Sequence, residues 1–299
     1  MPLLRPALGV LVFFLTTSGA RAQCTFQWRL VEGDKLKYVI EDKCASKTKV
    51  GQESFDLKQN LRLDTIWQVS NVAPSGQIQV VVTVERLQFS ANGEGAAAIG
   101  RVSFDSKEAV RSDSKPEKSV AAVLDSIVRS KVVVNIDTQG KVTKFEIESK
   151  LRAIFEDNAT RELAGFFGDL FTADGFRHRL TNWFVEFPEQ PVPAGGSWTE
   201  SKLSRLGRAL PCTHSYVHSG RAVRNGSTLE KIEVKPKYEL PKDEDSKAKI
   251  ASQSGEGTIY FDLPNGRIVE SIVTQDIVVQ SFGESTVQAI TTVKLAKAD

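Results

Sequence analysis

Residues 66–89 restrict the fold more than any other stretch of this chain. IWQVSNV (66–72) and QIQVVVTVERLQF (77–89) are rich in valine and isoleucine and are separated only by APSG (73–76). Branching at Cβ stiffens a side chain in a helix but suits it to a pleated surface, so such runs favour strands. Two of them joined by a short Pro- and Gly-containing link read as a hairpin. The pattern recurs: KVVVNI and KVTKFEI flank DTQG, CTHSYVHSGRAV and STLEKIEVK flank Asn225-Gly226, and GTIYFDLPNGRIVESIVTQDIVVQSF turns at Asn265-Gly266. Asn-Gly accepts the positive φ of tight hairpin turns. RVSFDS, SWTESKLSRLG and the closing STVQAITTVKLA read as further strands.

Two hairpins resemble each other. VVVNIDTQGKVTKFEI and GTIYFDLPNGRIVESI each run from a strand through Asp, Gly and a basic residue into a second strand. The Asp can accept backbone hydrogen bonds at the turn, and the Gly supplies its backbone freedom. The middle of the chain differs. EKSVAAVLDSIVRS places Val120, Val123, Leu124 and Ile127 on one helical face. Residues 148–187 then read as helical and strongly aromatic, until FPEQPVPAGG ends the pattern. The expected fold is therefore α+β: extended, curved antiparallel sheet with a helical insert. It is arranged as two related lobes (23–147 and 195–299) around residues 148–187, or as a partial barrel. Seven of the sixteen phenylalanines lie between Phe155 and Phe187. They read first as core. A second reading has Phe166, Phe167, Phe171 and Trp183 line a groove for an apolar ligand, such as a lipid, or for a partner protein.

The first residues read as an export signal: Arg5, the apolar run ALGVLVFFL, then small polar residues. The run is shorter than the roughly 20 residues a membrane-spanning helix needs. Ala20 and Ala22 form an A-x-A cleavage site, leaving Gln23 as the first residue of a mature domain 23–299. A lipoprotein box at Cys24 is disfavoured by Arg21 and Gln23, where such boxes carry an apolar and a small residue. Loss of Arg5 and Arg21 from 39 basic residues leaves 37, against 37 acidic ones. That balance argues against nucleic acid as a partner. Periplasm or extracellular space is the expected destination.

The three cysteines, Cys24, Cys44 and Cys212, allow at most one internal bridge. Cys24 and Cys44 are placed symmetrically about Asp34, so a hairpin of CTFQWRL with KLKYVIEDKC would make them face each other; Cys44–Cys212, Cys24–Cys212 and a chain without a bridge are the alternatives. Cys212, His214 and His218 would share a strand face. On a strand, however, the two histidines lie about 13 Å apart, too far for one metal ion. They are expected to be exposed or on an edge strand. No nucleophile elbow, phosphate loop, dinucleotide fingerprint or zinc motif is present, and no cofactor is expected.

Three stretches carry a family resemblance: FQWRLVEGDKLKYVIED (26–42), VNIDTQGKVTKFE (134–146) and FPEQPVPAGGSWTES (187–201), the last with Gly195 and Trp198. They resemble a family of exported bacterial proteins of uncharacterised function, many of them lipoproteins. The resemblance implies an exported α+β protein and carries over no functional residues. The leading expectation is a non-enzymatic envelope or extracellular protein that acts by binding. A carrier holding an apolar ligand between sheet and helices, and a hydrolase with dispersed carboxylates, are the alternatives.

Overall fold

The structure, a computed structural model, describes residues 23–95, 100–108, 115–206, 208–240 and 248–298. The leader, with Ala20 and Ala22, lies outside them, and Gln23 opens the first strand. The N-terminal half holds β1 (Gln23–Cys24), β2 (Lys35–Val50), β3 (Glu53–Val72), β4 (Ile78–Gly95), β5 (Gly100–Asp105), helix α1 (Lys115–Ile127), β6 (Lys131–Ile136) and β7 (Val142–Ile147). Helices α2 (Ser149–Glu156), α3 (Asn158–Phe167) and α4 (Ala173–Thr181) follow, with a 3-10 turn at Gly168–Phe171. After the short β8 (Val192–Pro193) come β9 (Ser197–Leu206), β10 (Arg208–Arg224), β11 (Ser227–Tyr238), β12 (Lys249–Asp262), β13 (Arg267–Gln280) and β14 (Glu284–Ala298).

Apart from β1 and β8, which pair with each other, the described strands form one antiparallel sheet in the order β7-β6-β4-β3-β2-β14-β13-β12-β11-β10-β9. β5 pairs with the far half of β4, whose near half is taken by β6. Strands from the two ends of the chain are neighbours, because β2 pairs with β14 along nearly its whole length. Among the described residues β7 and β9 remain the two ends of the path, so the sheet is not closed. It is nevertheless curled. Helix α4 touches β2 through an Arg179–Asp42 ion pair, and Asn182, at its end, accepts through its carbonyl from Lys202 of β9. Those strands are far apart in the sheet order, and one helix reaches both only if the sheet wraps round it.

The 20 residues of β3 reach about 65 Å at 3.3 Å per residue. Alternation along them buries Leu61, Leu63, Thr65, Trp67 and Val69 on one face. The two similar hairpins are β6–β7 and β12–β13. Asp137 Oδ1 accepts from the amides of Gln139 and Lys141, and Asp262 Oδ1 from that of Asn265. Between the two turns runs the segment 25–30: the Trp28 amide donates to Thr138 and the Arg29 amide to Gly266. Gly140 and Gly266 have positive φ, and a Cβ on either would collide with Trp28 or Arg29. Glycine is thus required there twice over, by the turn and by the clasped strap.

This strap overturns the expected hairpin of residues 24–30 with 35–44. Both edges of β2 are occupied, by β3 and β14, so no edge remains for it. Cys24 pairs instead with Val192 of β8, Cys44 lies opposite Gln59 and Ala289, and no disulfide joins the three cysteines. Pro116, expected in a polar loop, stands in the first turn of α1, where its missing amide costs nothing.

Candidate functional site

The inner face of the sheet carries a row of rings that meet the chain leaving α4. Trp67 stacks on Trp183 at 5.9 Å and lies 4.9 Å from Phe184, which meets Trp28 at 5.3 Å. Phe187 continues through Trp198 to Tyr216, whose ring stacks near His214. Beside this row, between α4 and strands β10–β14, is a cavity of about 100 Å³. Its apolar wall includes Trp183, Val234, Ile259, Val273 and Val293. Its polar wall includes Arg179, Lys202, His214, Tyr216 and Gln275.

The charges on that wall are paired within the protein. Arg179 meets Asp42, and Lys202 lies 3.1 Å from Glu200, which also accepts from the Tyr216 hydroxyl at 2.8 Å. Burial raises the Tyr216 phenol well above its ordinary range, and Glu200 adds to the effect. His214 is different. Its Nε2 is 3.8 Å from Cys212 Sγ, and its buried Nδ1 has no hydrogen-bond partner among the described residues. Burial, then the charge of Lys202, depress it to about 3, so the ring is neutral and offers one unsatisfied nitrogen beside an apolar cavity.

Asp42, Arg179 and Thr291 also line a second, smaller cavity of about 60 Å³ toward Cys44, Gln59 and Ala289. On the other side, Asn182 and Lys202 border a polar cleft of about 230 Å³ that reaches Arg177 and His178. Polar cleft, apolar cavity and second cavity therefore follow one another along the inner face.

The four residues expected to line a groove separate. Trp183 lines the main cavity. Phe167 and Phe171 do not: both are fully buried and pack edge-on against Phe89, 5.6 and 6.0 Å away. Phe166 lies in α3, and its side chain is outside the described residues. The expectation of exposed histidines also fails for His214 and His218, which are 7% and 1% exposed. β10 is an interior strand between β9 and β11, and its alternation turns both rings inward. His218 Nε2 lies 2.8 Å from Glu230 Oε2, near Cys24. Sequence reading missed this cluster, because Glu230 and Cys24 come from β11 and β1 and only the pairing of strands unites them. The buried carboxylates Glu230 and Glu270 are held by Arg221 and Arg224 respectively and do not face each other as a pair.

No curated protein matches the sequence. Solved structures similar to the chain include one of lipid–protein interactions in lipovitellin (9% identity, TM-score 0.49), which covers 90% of this chain and 26% of that one. This chain thus spans about a quarter of lipovitellin's length. A Bacteroides fragilis protein with a YmcC-like fold shares 13% identity over 92% of this chain and 100% of that one (TM-score 0.28). An outer-membrane channel from Pseudomonas putida shares 8% over 93% and 98% (TM-score 0.31). Two of the three stretches that resemble proteins of uncharacterised function, 134–146 and 187–201, fall within residues 75–216, which match a family of unknown function, DUF6263.

Proposed function

We propose that this is an exported binding protein that holds an uncharged, largely apolar ligand along the inner face of its curled sheet. The observation that carries the reading is the cavity beside His214: an apolar wall, charges already paired, and one buried nitrogen without a partner. A ligand bringing net charge would find no uncommitted counter-ion on that wall and would lose its hydration. A hydroxyl or carbonyl on an apolar body fits, because it satisfies His214 Nδ1. At about 100 Å³ the cavity is smaller than the ~150 Å³ that admits benzene. Only one end of a ligand enters it, and the body lies along the trough past Cys44 and Ala289.

The test is native mass spectrometry, with organic extraction, of protein purified from its own host. The expected result is one extractable apolar molecule per chain, lost in Val273→Phe, which fills the cavity. A folded protein that yields no stoichiometric ligand would overturn the proposal.

A further inference from the structure

We infer that Cys24, His218 and Glu230 form a binding site for a soft divalent transition-metal ion such as zinc, separate from the ligand cavity. One ligand atom from each lies within 4.8 Å of the other two, and all three side chains are buried. They arrive from different strands. His218 is on β10 and Glu230 on the adjacent β11, while the β1–β8 pair brings Cys24 across. The loop after β8 fixes the arrangement: the Gly195 amide donates to the His218 carbonyl at 2.7 Å, and the His218 amide to Gly196 at 2.9 Å.

Thiolate, imidazole and carboxylate are the donors zinc takes, at about 2.3, 2.0 and 2.1 Å. Around a tetrahedral ion those lengths put donor atoms about 3.3–3.6 Å apart. His218 and Glu230, at 2.8 Å, need to open by about 0.5 Å, and Cys24 Sγ, within 4.8 Å of both, needs to move by no more than about 1.5 Å.

The donor atom is His218 Nε2, 2.8 Å from Glu230 Oε2. With the ring proton on Nδ1, which has no hydrogen-bond partner among the described residues, the Nε2 lone pair faces the carboxylate and is open to a cation. Phe26 stands edge-on to the ring at 5.1 Å. The free Cys24 thiol carries a proton that a bound metal displaces. Metal binding releases that proton to solvent and forms the metal–sulfur bond, with no change in oxidation state. Arg221, 3.0 Å from Glu230 Oε1, orients the carboxylate from outside.

The test is titration of chelator-stripped protein with Co²⁺. The expected result is a sulfur-to-cobalt charge-transfer band that saturates at one equivalent and is displaced by Zn²⁺. The band should vanish in Cys24→Ser. It should persist in the Cys44→Ser/Cys212→Ser double variant, where Cys24 is the only thiol. Absence of the band from the parent protein, its survival in Cys24→Ser, or its loss from a folded double variant would each overturn the assignment. Because the readout is a thiolate band, the result is independent of whether an apolar ligand occupies the cavity.

Discussion

The same strands cross two different regions. In one half of β2 and β3 the inward side chains Tyr38, Ile40, Leu63 and Trp67 are buried beneath the strap 25–30 and the chain after α4. In the other half the inward positions are Ser46, Thr48, Leu57 and Phe55, all only half-buried. Pairing and alternation do not change at the boundary; the cover does. Gln59, which donates to the Phe167 carbonyl, marks the limit of the helical layer. A sheet can thus extend well past the core that stabilises it, provided its backbone bonds are made, and the extension is then available for something other than stability.

The largest difference between the halves should appear on truncation of an aromatic ring in each. Trp67 contacts Tyr38, Trp183 and Phe184. Trp67→Ala should cost about 4 kcal/mol, in the range for large-to-small changes in a packed core. Phe55→Ala should cost about 1 kcal/mol or less, since its surroundings already admit water. Urea unfolding of both variants measures the contrast, and equal losses would mean that the outer half is also core.

The boundary itself is held by Arg179 and Asp42. Asp42→Ala takes from the buried Arg179 guanidinium the carboxylate it pairs with and should cost about 3 kcal/mol. The double replacement Asp42→Leu/Arg179→Met should recover most of that loss, because it removes both charges and keeps the volume. Additive losses in the same unfolding assay would show that the two residues act separately.

A smaller effect comes from His214, and it depends on pH. The folded ring titrates at about 3 and the unfolded one near 6.5, so between those values the unfolded state binds more protons. Stability is full above about pH 6.5 and falls with acid by at most about 1.4 kcal/mol per pH unit. The Asp105 carboxyl, held low by Arg86, adds a second loss only as pH falls through the ordinary carboxylate range. Urea midpoints between pH 7 and 5 should therefore decline in the parent and much less in His214→Phe.

Why the two regions were unequally legible in the sequence is physical. Strands and turns follow from local signals: valine runs, Asn-Gly, an Asp that caps its own turn. Hence β3–β4, β6–β7, β10–β11 and β12–β13 were readable as hairpins. Residues 53–65 were not, because Gln59, Asn60 and Asp64 interrupt the apolar run, and only pairing with β2 and β4 makes the segment a strand. Residues 25–30 have a strand's alternation and lie as a strap instead, since both edges of β2 are already paired. The aromatic middle showed that a core exists but not which rings face a cavity. Phe171 and Trp183 look alike in sequence, and the turn and helix between them send one into the core and the other to the cavity wall. The Cys24–His218–Glu230 cluster joins residues up to 206 positions apart and leaves no local trace.

The smallest expected change in stability carries the most about function. Leu57→Ser, in the open half, should alter unfolding by no more than about 0.5 kcal/mol, as expected where water already reaches the side chain. If the open half is surplus surface, ligand occupancy should not change either. If the trough holds the body of an apolar ligand whose end sits beside His214, each methylene taken out of contact costs about 0.8 kcal/mol. Removing a leucine's worth of apolar surface should then weaken binding several-fold. Occupancy by native mass spectrometry, beside an unchanged urea midpoint, separates the two. Unchanged occupancy in Leu57→Ser with complete loss in Val273→Phe would confine the ligand to the cavity and reduce it to something smaller than a benzene ring.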